Sequence, residues 1–390
     1  MKSCKKAFLA ALSLGFIVGL IGCQAARPAD EVWIGLLEPL TGANAGGGAL
    51  EREGVELANK LYPTVEVAGK TYKVVLKVSD NRSDKVESAN AAERLMTKDK
   101  VDVILGSWGS SLSMAAGEIA KDKKVPMIGL SCTNPLVTKG NDYYFRVCFI
   151  DPFQGTVMAN YAFEDLGAKT AVIISEVSND YSIGLAKFFT DSFTALTGNP
   201  NAVLETVKYN TNDSDFNAQL TQVKSLNPEI IFAPGNFTES ALIISQARAL
   251  GIETQFIGAD TWETNEFLDV GKAAVEGAIF SSFYEPDSDV DADDLLTATF
   301  LKEYDAIYHK KPSAVTALGF DGYLLALHAI MGAGSLDRKA IRDEIAKTQG
   351  FIGVTGIVNL DENGDTSKPA IIKKVEDGKF VFLKIVNPAE

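Results

Sequence analysis

Several short stretches of this 390-residue chain gather groups suited to holding a small charged molecule. Gly106-Ser107-Trp108-Gly109-Ser110-Ser111-Leu112-Ser113 brings four hydroxyls and free backbone N–H groups to the start of a helical pattern. Amide N–H groups and the positive end of a helix dipole suit a carboxylate there. Ser131-Cys132-Thr133-Asn134-Pro135 is a second small hydroxylic stretch, with Pro135 fit for the first position of a short helix. Later in the chain come Ser178-Asn179-Asp180-Tyr181-Ser182, Pro234-Gly235-Asn236-Phe237-Thr238-Glu239 and Gly258-Ala259-Asp260-Thr261-Trp262, which offer an acid, Asp260, among aromatic rings. Hydroxyls and N–H groups on one side and a carboxylate on the other fit the two ends of a zwitterion. Taken singly, Ser110, Ser111 and Asp260 also read as helix N-caps, so the constellation carries the argument.

Chemistry that breaks bonds finds little support. The chain has two histidines. His328 lies in the apolar helical run Tyr323–Ile330 and reads as a core residue; His309 sits beside Lys310 and Lys311 at a helix end, where a cation suits the dipole. HExxH, CxxC and P-loop patterns are absent. The Gly-rich run Ala43–Gly48 departs from G-x-G-x-x-G, which weakens a dinucleotide reading. No catalytic residue, metal or cofactor is therefore expected.

The N-terminus assigns an address. Lys2, Lys5 and Lys6 precede an apolar run from Ala7 to Ile21 that ends in Leu20-Ile21-Gly22-Cys23. This is the pattern of a secretory leader, and the run is short for a spanning helix. The last four residues resemble a bacterial lipobox, with Cys23 as the lipid attachment site and new N-terminus. Residues 1–22 then form the signal peptide and 23–30 a tether. Removal of 1–22 takes three lysines and no acid, leaving 34 basic against 51 acidic residues, a net charge near −17. Such a surface repels nucleic acid. Beyond Cys23, Cys132 and Cys148 remain, as a disulfide or as two buried thiols.

The elements that must position these groups are legible in the hydrophobic pattern. Strand-length apolar runs at Val32–Leu37, Tyr72–Val78, Val101–Leu105, Pro126–Leu130, Ala171–Ser175, Val203–Tyr209, Ile230–Ala233 and Gln255–Ile257 alternate with helical segments. Helices are expected at Ala49–Asn59, Val86–Met96, Asp215–Ser225 (with Asp213 or Ser214 as cap) and Ser240–Leu250, with Gly251 as a stop. Residues 290–347 read as two or three helices. Strands follow at Thr355–Leu360, Ala370–Val375 and Phe380–Val386, the last two joined by Asp377-Gly378. This alternation implies an α/β fold with doubly wound parallel sheets. The length exceeds one ordinary core and favours two domains. In such sheets ligands bind beyond the strand C-termini, where the hydroxylic and acidic stretches fall.

From about Glu31 to Val386 the chain resembles the type I periplasmic binding proteins that serve ABC transporters for branched-chain amino acids. The resemblance rests on Pro39-Leu40-Thr41-Gly42, Gly54–Asn59, Gly106–Ser111, Ser131–Thr133, Phe145-Arg146-Val147, Tyr181-Ser182-Ile183-Gly184, Gln246-Ala247-Arg248 and Gly258-Ala259-Asp260, in the family's order. It implies two Rossmann-like lobes joined by a three-segment hinge, lobe 1 from 31–148 and 284–362 and lobe 2 from 149–283 and 363–390. It implies a monomeric, extracytoplasmic binder that captures an amino acid and delivers it to an ABC permease, here held to the membrane by the lipid expected on Cys23. By the resemblance, Ser110 binds the α-carboxylate, Ser131, Cys132 and Thr133 form a second ligand loop, Tyr181 closes over the ligand, and Asp260 meets the α-ammonium. Asn236 replaces a tyrosine of leucine-type binders and Gly47 an aromatic, with Trp108, Phe237 and Trp262 available to refill the space. Ser83 and Gly109 stand where some relatives carry a disulfide. These departures keep open a ligand other than an amino acid, such as an amide, a urea-like molecule or an aromatic acid. A tethered sensor and an enzyme remain as rivals from other classes.

Overall fold

The structure, a computed structural model, describes residues 27–286 and 294–388. Cys23, the leader and residues 24–26 of the tether lie outside the described residues. The apolar runs form two sheets. In the first, the order is Thr64–Val67, Lys70–Asp80, Glu31–Glu38, Val103–Gly106, Met127–Gly129, Tyr144–Arg146. Its five inner and far strands are parallel, and only the edge hairpin Thr64–Val67 runs antiparallel to its neighbour. In the second, the order is Lys379–Val386, Ala370–Glu376, Ile279–Ser282, Gln255–Gly258, Ile230–Phe232, Ala171–Glu176, Val203–Tyr209. Here the last two chain segments add antiparallel strands to a parallel set. Strands such as Val103–Gly106 and Ala171–Glu176 are buried at every residue. Helices cover both faces, so an apolar run without alternation is what the position demands.

The chain passes between the sheets three times. It leaves the first after Tyr144–Arg146 and continues in the helix Asp151–Asn160. It leaves the second after Ile279–Ser282, and the helices Asp294–Tyr308, Ala314–Ala333 and Arg338–Ile345 pack back on the first. It returns to the second with Ala370–Glu376. The result is the expected two-lobed α/β fold with a three-segment hinge. One packing detail depends on glycine. The helices Ala45–Leu61 and Ala314–Ala333 cross so closely that a Cβ on Gly54 would lie 1.9 Å from the Thr316 carbonyl oxygen, and one on Gly319 would lie 2.4 Å from that of Glu51. Ala314–Ala333 is apolar enough to span a membrane by composition, but 83% of its most apolar window is buried, as a core helix of the first lobe requires.

Several expectations shift. The Val101–Leu105 strand begins two residues later, at Val103. The helix expected at Asp215–Ser225 starts at Asn217, and neither Asp213 nor Ser214 caps it: Phe216 holds that position, while the Asp215 carboxylate accepts from Asn217 N. His328 is exposed beside the Phe351 ring rather than in the core. Cys132 and Cys148 are buried free thiols. Asp377 and Gly378 both take positive φ, 52° and 67°, as a tight hairpin requires.

Candidate functional site

The strand C-termini of the two sheets face each other across a cleft of about 80 Å³. From the first lobe, the loop after Val103–Gly106 supplies Trp108, Ser110 and Ser111, and the loop after Met127–Gly129 supplies Ser131. From the second come Glu176, Tyr181, Asn236 and Asp260.

Gly109, at φ 86°, occupies the cap of the helix Ser110–Lys123. Ser110 and Ser111 are therefore the first two helical residues rather than caps, and their hydroxyls are available for other work. Ser110 Oγ accepts from Asn134 N at 3.1 Å and so ties the two hydroxylic loops together. Trp108 is nearly fully buried; its N–H donates to Glu38 Oε2 at 2.7 Å. Its indole lies flat on Gly47, where a Cβ would come within 2.3 Å of the ring, and it meets Phe237 edge-on at 6.1 Å. The Trp108 ring thus fills the space beside Gly47. Trp262 does not refill the cleft: it is fully buried, stacked on Phe267 and packed over Gly258.

Asp260 begins a short 3-10 turn whose cap is Ala259, so its carboxylate is not spent on capping. Gln154 Nε2 and Tyr181 OH both donate to Oδ1, at 2.5 and 2.8 Å. Burial pushes the Asp260 carboxyl up to about 6, and those two donors limit the rise. Tyr181 is held far above its ordinary range by burial and by the Asp260 charge, so it acts as a neutral donor. Cys132 and Thr133 do not reach the cleft. The Cys132 thiol packs 3.8 Å from Tyr144 OH, and Thr133 is fully buried with its carbonyl accepting from Asp151 N.

Two residues of this neighbourhood escaped the sequence reading. Gln154 comes from the helix that leaves the hinge and also donates to Ser281 Oγ at 2.9 Å. Glu176 is the last residue of its strand, one step beyond the point at which the apolar run ended. It is 1% exposed and accepts from Asn179 Nδ2 at 2.9 Å, from Thr211 Oγ1 and, weakly, from Asn236 Nδ2 at 3.5 Å.

The lobes are closed over the cleft. Asp180 of the second lobe is held by three groups of the first. Ser111 Oγ donates to Oδ2 at 2.7 Å, Lys85 Nζ pairs with it at 2.9 Å, and Asn134 Nδ2 donates to the Asp180 carbonyl at 2.8 Å. Behind the cleft lie more buried acids. Burial, then the nearby Glu51 charge, raises Glu38 well above the carboxylate range; burial brings Glu51 to about 7 and Asp151 to about 8. Among the described residues, no cluster of His, Cys, Asp or Glu could hold a metal ion.

A two-lobed α/β body with a polar cleft between strand ends, closed by contacts from both halves, is the form of a solute-binding protein. The match to the periplasmic binding protein family runs over residues 31–379. The chain belongs to that family, in its type I branch with the Leu/Ile/Val-binding homologues. It is similar to the Leu/Ile/Val-binding protein homolog 1 of Brucella suis, 28% identical over 363 residues, which spans 91% of this chain and 94% of that one. The structure of the leucine-binding protein LivK from Thermotoga maritima is 41% identical, with a TM-score of 0.86, covering 92% of this chain and 99% of that one. The branched-chain amino acid transporter substrate-binding protein LivJ from Streptococcus pneumoniae, solved with isoleucine, is 31% identical, with a TM-score of 0.83, covering 92% and 100%. The family consists of substrate-binding proteins of ABC transporters and works outside the cytoplasm.

Proposed function

We propose that this protein captures an amino acid between its lobes and delivers it to an ABC permease while tethered to the membrane through lipid on Cys23. The observation that carries the reading is the polarity across the cleft. Ser110 and Ser131, at the start of a helix and in the adjoining loop, face Asp260 and Tyr181 on the other lobe. The first pair suits an α-carboxylate. The Asp260 carboxylate suits an α-ammonium, and its burial gives it much to gain from a cation. Contacts made to both lobes stabilise the closed form relative to the open one. In this reading the hinge segments lie near 148–151, 281–284 and 361–366, with 31–148 and 284–362 as lobe 1 and 149–283 and 363–390 as lobe 2. Asp260→Ala leaves the ammonium without its partner and is expected to weaken amino-acid binding by more than about tenfold in calorimetry. Unchanged affinity would remove the zwitterion reading. Cys23→Ser should leave solution binding intact and release the protein from membranes.

A further inference from the structure

The cleft has a second polar cluster that the α-amino and α-carboxylate groups would not use. Glu176, Asn179, Thr211 and Asn236 line it and hydrogen-bond to one another, not to Asp260. Glu176 is a nearly fully buried carboxylate whose described hydrogen-bond donors are all neutral. The one lysine on the cavity wall, Lys85, is paired with Asp180 instead. Across the cleft, Asn44 carries a buried amide oxygen with no donor among the described residues. One cavity is thus faced by a buried carboxylate held by neutral donors alone and by an amide oxygen with no donor among the described residues. Burying a charge without a cation, or an acceptor without a donor, is costly, and an aliphatic side chain placed there would supply neither.

Building on the amino-acid reading above, we propose that the ligand is an amino acid whose side chain ends in N–H donors (an amide, ureido, guanidinium or ammonium group) and that Glu176 and Asn44 receive those donors. Glu176 is then a specificity-determining residue, and leucine, isoleucine and valine are poor ligands. Sites that hydrogen-bond a polar group reject analogues lacking it far more strongly than apolar pockets reject a missing methylene.

The test is titration calorimetry of the wild-type protein against leucine, isoleucine, glutamine, citrulline, lysine and arginine, repeated with Glu176→Gln and Asn44→Leu. At least one N–H-terminated amino acid should bind tenfold or more tightly than leucine and isoleucine. Glu176→Gln should cut that preference by at least tenfold if the favoured side chain is cationic and by less if it is a neutral amide or ureido group. Tightest binding of leucine or isoleucine by the wild type overturns the proposal without any variant, so a misfolded Glu176→Gln protein does not shelter it. An equal loss for every ligand in Glu176→Gln also overturns it, since that is the mark of a residue that only braces the Asn179 turn. Asp260→Ala separates the two readings: intact amino-acid affinity in that variant defeats the zwitterion anchor, whereas its loss alongside a leucine preference defeats only the side-chain assignment.

Discussion

Asp260→Asn keeps the shape of the side chain and removes its charge, and it should make the ligand-free protein more stable while ruining its binding. Burial moves this carboxyl from an ordinary 3.8 to about 6. Above pH 6 the folded protein must keep an anion away from water that the unfolded chain would solvate. The gap between the two values corresponds to about 3 kcal/mol. The folded state holds the proton between pH 4 and 6 and the unfolded state does not, so this group's contribution to stability falls as pH rises through that window and is flat above it. Asparagine can still accept from Gln154 and Tyr181 through its oxygen but carries no such penalty. Calorimetric melts of ligand-free protein should show the variant melting on the order of 5 °C higher at pH 8, with the gap closing near pH 4. That figure is an upper bound, because any opening of the cleft rehydrates the wild-type group. The reasoning is refuted if the variant melts lower at pH 8, or if the difference is the same at pH 4 and pH 8. The same substitution should weaken amino-acid binding by more than about tenfold, so gain and loss appear in one molecule.

Other perturbations probe the scaffold. Asp151 and Glu51, raised to about 8 and about 7, add to the trend, so the urea midpoint of the ligand-free wild type should fall as pH rises from 5 to 8; a rise would contradict their burial as neutral acids. Arg146 is fully buried and pairs with Asp365 at 2.7 Å, pinning the first sheet to the last crossing of the chain; Asp365→Ala should cost roughly 3–5 kcal/mol in urea unfolding. Gly47→Ala sets a methyl 2.3 Å from the Trp108 ring and should cost about 1–3 kcal/mol while shifting tryptophan emission. Lys85→Ala removes a half-exposed clasp on Asp180; melting should barely change, ligand affinity should fall by less than about tenfold, and the deficit should shrink in high salt.

The fold was readable because parallel strands covered on both faces must be apolar throughout, and runs such as Ala171–Ser175 have no other use. The cleft was readable in outline because ligands meet strand ends, which singled out Trp108, Ser110, Ser131, Tyr181, Asn236 and Asp260 as its lining. What escaped depends on three-dimensional packing. Gln154 lies more than a hundred positions from Asp260 and meets it only after the hinge helix docks. Glu176 directly follows the apolar run Ala171–Ser175, and nothing local reveals that both the cleft and Asn236 lie beside it. The serines read as caps because glycine at a cap gives no side-chain signal. Cys132 and Thr133 share a loop with Ser131, yet both are buried in the lobe, a difference within one loop that only the folded structure reveals.

The seating of Trp108 on Gly47 has a consequence for how this cleft can change over generations. The two positions, more than sixty residues apart, share a single volume. Placing a ring at 47 while Trp108 remains produces a collision, and shrinking Trp108 while Gly47 remains leaves a hole. Each single step is penalised and the pair together is not, the signature of strong epistasis between residues in contact. Directed evolution of ligand preference in this chain should therefore recover changes at the two positions together or at neither.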